Sequence, residues 1–302
     1  MTTTAPLPAT PAHQLSSTFG SSSREGWQDA SAPSIPRGPV ISTLNFYTAP
    51  ADGSKPYNWV EKQAEGVPQR NYTLTPTEVQ LTDIRGREEQ FSLDNNAFEA
   101  ISNVAPSAER DFADDEHIKQ VYYPEIEKLL LDNVPGSHRV FLFDHTIRRA
   151  GTNRTPVMVA HVDQTGPSTA ARVRLHLPDE ADTLLAGRYR IINVWRPLNG
   201  PVVSSPLGFA DSSSAAEGDL VGVEHRYPDR TGETAGVKHS AGQRWHYWSG
   251  MQNDERLLLK CYDSDPRVAG RERVPHSAFT HPRTPEGAPE RESIEVRALV
   301  FG

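Results

Sequence analysis

His161 and Asp163 stand two residues apart at the end of the apolar run Val157-Met158-Val159-Ala160. In an extended chain, period-two alternation turns both side chains to one face, which is how two neighbouring residues reach one metal ion. A His-x-Asp pair completed by a distant His is the 2-His-1-carboxylate pattern of non-haem Fe(II) centres, which leaves positions open for a co-substrate and O2. Three residues are weak ground on their own in a chain with 11 His. The third ligand has to come from elsewhere.

His13, His117, His138 and His176 have no partner pattern around them and read as surface residues, while His145 and His225 flank strands and stay open as alternatives. His239 and His246 lie beside the aromatic segment Trp245–Trp248, where packing or a lid over a pocket is the plainer reading. His276 is favoured by its downstream neighbours. Val274-Pro275-His276-Ser277-Ala278-Phe279 ends a strand-like piece, a Pro-rich loop intervenes, and Arg291-Glu292-Ser293 follows at the last strand. A 2-oxoglutarate that chelates iron through its keto-acid end leaves a far carboxylate, which calls for a bidentate guanidinium and a hydroxyl. Alternation along the last strand puts Arg291, Ser293, Glu295 and Arg297 on one face, with Glu295 expected to neutralise one of the two arginines. The competing reading is an ordinary charged strand face.

The elements that must position these residues are mostly strands. Segments at 40–47, 79–86, 139–144, 189–195, 220–223, 244–248, 256–262 and 292–301 carry strand composition between Pro and Gly punctuation, which predicts a mainly β fold, a double-stranded β-helix or jelly roll with flanking helices. Helical spacing predicts a helix or helix pair over 114–133, broken by Pro124, and a helical insert at 167–186. Residues 1–37, rich in Thr, Ser, Pro and Ala, are expected to form a disordered arm ahead of a single domain over 38–302. A net charge of -8 argues against nucleic-acid or membrane-surface partners and for a small molecule. With Cys261 as the only cysteine and no apolar run long enough to span a bilayer, the expected location is cytoplasmic.

From about residue 40 to the C-terminus the chain resembles the fungal hydroxylase/desaturase family, which includes aspergillic-acid hydroxylase-like and gibberellin desaturase-like proteins and is distantly related to a bacterial cephamycin methoxylation component. The motifs that carry the resemblance are Asp83-Ile84-Arg85-Gly86, Tyr122-Tyr123-Pro124-Glu125, Phe143 through Arg149, His161-Val162-Asp163-Gln164, Asn193 through Leu198, Asp254-Glu255, Tyr262-Asp263-Ser264, Pro275 through Phe279 and Arg291 through Arg297. The resemblance implies Fe(II)/2-oxoglutarate chemistry in secondary metabolism and natural product biosynthesis, with His161, Asp163 and His276 matching the iron ligands and Arg291 the co-substrate anchor. Gln243 departs from the pattern, standing where relatives carry His.

The expected enzyme is a non-haem iron dioxygenase using Fe(II), 2-oxoglutarate and O2 to hydroxylate, desaturate or cyclise a small amino-acid-like or peptide-derived metabolite. Its candidate substrate contacts are Arg149, Arg196, Trp195, Trp245 and His246. Structural ion pairing is the alternative for the two arginines and core packing for the two tryptophans. Two rival functions remain open: a cupin-like metal enzyme that does not use 2-oxoglutarate, and a non-catalytic metabolite-binding barrel.

Overall fold

The computed structural model describes residues 34–152 and 154–302. In chain order the strands are β1 (Val40–Thr48), β2 (Tyr57–Trp59), β3 (Thr73–Asp83), β4 (Phe98–Ile101), β5 (Arg139–Arg148), β6 (His161–Val162) and β7 (Tyr189–Pro197). They continue with β8 (Leu207–Ala210), β9 (Leu220–Arg226), β10 (Thr231–Val237), β11 (Trp245–Tyr247), β12 (Arg256–Asp263), β13 (His276–Ala278) and β14 (Ser293–Phe301). The helices are α1 (Leu93–Asn96), α2 (Asp115–His117), α3 (Tyr123–Asn133), α4 (Gly166–His176) and α5 (Ala181–Ala186). A curled nine-stranded sheet, in the order β1-β3-β11-β8-β13-β6-β10-β9-β2, faces a five-stranded sheet, β4-β12-β7-β14-β5. This is the expected mainly β, jelly-roll architecture.

The long strands follow from their sequences. In β14, Ile294, Val296, Ala298 and Val300 turn outward and bury against Ile118, Tyr122, Ile126 and Leu130 of the helical segment, while the alternate residues turn inward. At one end of the molecule Phe209 of the large sheet packs on Trp195, Leu257 and Leu259 of the small one, with Trp248 and Phe98 beside them. The other end stays open.

Several expectations need correction. Pro124 does not break the helix: Ile118–Tyr122 widens into a π-helical turn that runs directly into α3, with Pro124 in the first turn of α3. That turn absorbs the amide that proline lacks. The run 157–160 is not a strand. It is pinned irregularly, Asn45 Nδ2 donating to the Met158 carbonyl at 2.7 Å and Ala160 N–H to the Asn45 carbonyl at 2.9 Å, so that β6 is only two residues long. The strand-like piece at 274–279 contains β13, with His276 as its first residue. His176 is not a free surface residue, since its ring stacks on Phe143 with centroids 5.4 Å apart.

Most of the arm expected over 1–37 lies outside the described residues. Its last residues belong to the domain, with Pro36 buried and the Arg37 guanidinium donating to Ser249 Oγ at 3.4 Å. Asp83 closes that junction, accepting from the amides of Gly38 (2.8 Å), Arg85 (3.0 Å) and Ser249 (3.1 Å). Burial alone would raise its pKa; the hydrogen bonds from Ser249, Gly38 and Arg85 overcome this and hold the carboxyl below its ordinary value. Asp83→Ala leaves one buried and two half-buried amides without their acceptor and should cost about 3 kcal/mol in urea unfolding at pH 7. Because the folded pKa is depressed, this contribution is present above the unfolded carboxyl value and is lost as pH falls through the folded one. The gap between wild type and variant should therefore close in acid. A gap unchanged between neutral and acid pH would rule this account out.

Candidate metal centre and its cavity

The open end of the barrel holds a cavity of about 1040 Å³, with His161, Asp163 and His276 among its lining residues. β6 lies between β10 and β13, and the register sets His276 directly opposite His161. Their rings are 4.4 Å apart. On the other side of His161 stands Gly236, where a Cβ would come within 3.0 Å of the Tyr47 ring. One ligand atom from each of His161, Asp163 and His276 falls within 4.8 Å of the others.

The tautomers are fixed locally. His161 Nδ1 lies 2.7 Å from the Val159 carbonyl and His276 Nδ1 lies 3.1 Å from the Val274 carbonyl. A carbonyl only accepts, so both rings carry their proton on Nδ1 and offer the Nε2 lone pair to the site. Burial pushes His276 down, and the neighbouring His161 adds to this. Burial also works against ionised Asp163, but the Arg297 guanidinium and then His161 hold its carboxyl well below the usual range. His161 is raised: burial opposes its charge and Asp163 outweighs burial.

Arg297 sits behind Asp163, donating to it through Nε at 3.2 Å, to Asp144 at 2.9 Å and to Glu295 at 3.1 Å. The expected pairing of Glu295 with an arginine is thus to Arg297. Two Nε2 lone pairs and one ionised carboxylate, aimed by these tautomers, fit Fe(II).

Arg291 is the opposite case. It lies before β14 rather than in it, is buried, and donates from Nη1 to the Ser205 carbonyl at 2.8 Å. Its Nε has no partner, and among the described residues it makes no ion pair. Burial, then the charge of Arg148, lowers its pKa to about 9. The guanidinium lies over the Trp195 ring at 5.2 Å, and both residues line the cavity. A desolvated cation without an anion is a site for one.

The other expected contacts fare differently. Ser293 is buried opposite Arg148 and Pro197 and does not line the cavity. Arg149 points away, donating to the carbonyls of Asp111 and Phe112 and lying 3.8 Å from Glu292. Arg196 turns to the outer face of β7, against the rings of Phe112 and Tyr122. In both cases the neighbour one residue earlier, Arg148 or Trp195, takes the cavity side, as strand alternation requires. Trp245 is core, edge-on to Phe46. His246 is buried among Phe91 and Phe98, and burial lowers its pKa to about 4. Gln243 ties its loop together by donating to Asp219 and the Lys238 carbonyl.

His145 and His225 do line the cavity but lie outside the three-residue metal cluster. Sequence reasoning missed Arg148, Arg172 and Asn193. The alternation Asp144-x-Thr146-x-Arg148 was the available signal for the first, and the motif Asn193 through Leu198 for the third; nothing in the sequence marks Arg172.

The curled sheets have the jelly-roll architecture of non-haem iron oxygenases, a class that this donor set fits. A family model described as "Oxidoreductase/YMDC permease-like domain" matches residues 44–301. No helix among the described residues is long and apolar enough to cross a membrane. The chain is 35% identical over 308 residues to "Hydroxylase/desaturase poxK" of Penicillium oxalicum, covering 91% of this chain and 94% of that one. It is 33% identical over 245 residues to "Fe(II)/2-oxoglutarate-dependent dioxygenase nvfI" of Aspergillus novofumigatus, covering 78% and 87%. A solved structure of the iron and alpha-ketoglutarate-dependent endoperoxidase NvfI superposes with a TM-score of 0.80 at 30% identity, covering 88% of this chain and 99% of that one. The chain belongs to the fungal Fe(II)/2-oxoglutarate-dependent hydroxylase/desaturase family. It is an iron- and 2-oxoglutarate-dependent dioxygenase that acts on a small molecule in biosynthesis.

Proposed function

We propose that His161, Asp163 and His276 hold Fe(II), that Arg291 receives the far carboxylate of 2-oxoglutarate, and that the substrate is a small amino-acid-like or peptide-derived metabolite carrying a carboxylate. The observation that carries the reading is a cavity with three convergent donors and a buried guanidinium that makes no ion pair among the described residues. Iron bound there supplies the means to couple decarboxylation of 2-oxoglutarate by O2 to oxidation of a substrate C–H bond. The residues around it orient and exclude. The Nδ1 bonds to carbonyls aim both imidazoles, Arg297 keeps Asp163 ionised, and Trp195 lies against the Arg291 guanidinium.

Arg172 of α4 is the substrate cation favoured over Arg149 and Arg196. It lines the cavity, lies 5.3 Å from the Phe143 ring and makes no ion pair among the described residues. Helix α4 is aimed by its cap, Thr165 accepting from the Ser168 amide. Tyr72, Val157 and Leu175 add apolar surface for the rest of the ligand. Hydroxylation, desaturation and ring closure all start from the same C–H oxidation.

The test is succinate release matched to O2 uptake, dependent on Fe(II) and 2-oxoglutarate, with a panel of amino-acid and dipeptide-derived acids and their methyl esters. Acids should be preferred, and Arg172→Ala should narrow that preference about tenfold, equivalent to roughly 1.4 kcal/mol. Preference for the esters would refute the carboxylate, and turnover without succinate would return the cupin-like alternative. A cytoplasmic location is supported by Cys261, buried and unpaired. Recovery of the native protein from the culture medium would contradict it.

A further inference from the structure

We infer that Asn193, together with Arg297, is a positioning residue that restricts Asp163 to a single metal-facing oxygen, a conclusion that rests on the three-ligand reading above. The two oxygens of Asp163 are in different surroundings. Oδ2 accepts from Asn193 Nδ2 at 2.8 Å and from Arg297 Nε at 3.2 Å. Oδ1 faces the other donors, 3.3 Å from His161 Nε2.

Asn193 sits at the centre of the small sheet, on β7 between β12 and β14, and is fully buried. Its Nδ2 also donates to Glu295 Oε1 at 3.0 Å, so one amide nitrogen bridges two carboxylates. The amide orientation is forced, because its oxygen would repel either carboxylate. That oxygen, Oδ1, is buried without a partner. A core position that leaves an acceptor unsatisfied while using both donors on carboxylates is kept for those donors. Glu295 fastens the arrangement from behind, bonded to Asn193 through one oxygen and to Arg297 through the other.

With Oδ2 held from two directions, the carboxylate cannot rotate to bring both oxygens to the metal. Asp163 would then offer a metal ion one ligand atom, which would leave positions for a chelating co-substrate. Freed from Asn193, Oδ2 would become a second ligand atom and compete with the co-substrate.

The test separates metal affinity from co-substrate affinity. Wild type, Asn193→Ala and the milder Asn193→Ser are titrated anaerobically with Mn(II), then as Mn(II)-loaded protein with 2-oxoglutarate. In either variant, Mn(II) affinity should hold or rise, because the released Oδ2 adds a donor, while 2-oxoglutarate affinity should fall about tenfold or more, roughly 1.4 kcal/mol. A role confined to folding would lower the melting temperature and weaken both affinities alike, and that outcome overturns the inference, as does unchanged 2-oxoglutarate affinity. Failure of the three-ligand reading looks different: wild type would take up no Mn(II), or Asp163→Ala would keep wild-type affinity.

Discussion

Asp163→Ala should abolish 2-oxoglutarate-dependent succinate release and weaken Mn(II) binding by more than the roughly 10–100-fold typical of residues that only orient a ligand. The substitution removes the one anionic donor of the set, whose Oδ1 lies 3.3 Å from His161 Nε2. The fold should survive it. Arg297 keeps Glu295 and Asp144 as partners, and Asn193 keeps Glu295, so neither buried donor is abandoned. Melting temperature and metal titration, measured on the same preparation, separate loss of the site from loss of the fold. His161→Ala should give the same loss of turnover. Succinate release persisting in both variants would remove these residues from the chemistry.

Arg291→Ala should raise the dissociation constant for 2-oxoglutarate about a hundredfold, a cost of roughly 3 kcal/mol for losing one partner of a buried charge pair. Its metal affinity should stay near wild type, because Arg291 contacts none of the three donors. Two observations set the size of the effect: the guanidinium is buried over the Trp195 ring, and its Nε has no hydrogen-bond partner. Arg291→Lys keeps the charge but loses the planar fork, and should recover only part of the affinity. Unchanged 2-oxoglutarate affinity in Arg291→Ala would move the anchor elsewhere, and Arg148, close enough to depress the charge of Arg291, is the next residue to test.

The strands β1, β5, β7, β12 and β14 were legible from their apolar and β-branched centres, whereas the first half of β3, Thr73–Glu78, is polar and was not read. The short ones were not. β10, Thr-Gly-Glu-Thr-Ala-Gly-Val, has no large side chain before Val237, and its Gly236 is small because Tyr47 packs against it. β8 hides in the same way, a Cβ at Gly208 coming within 2.9 Å of Leu81. Their identity as strands depends on neighbours that are remote in sequence. Pro124 misled for a local reason, since a break and a π-helical turn are two answers to the same missing amide.

Within the site, the sequence by itself determined the chemistry: a His-x-Asp pair on one face, a later His, and an arginine ahead of the last strand, together with the family motifs around them. Tertiary structure alone decided which residues meet. The register of β13 on β6 set His276 opposite His161, and the pleat of β5 and β7 chose Arg148 over Arg149 and Trp195 over Arg196 for the cavity. It also left Arg291 without an anion among the described residues and put Asn193 behind Asp163. Side-chain type and alternation are local and can be read along the chain, whereas cross-strand register, burial and the absence of a counter-ion belong to the assembled neighbourhood and exist only once the sheets have paired.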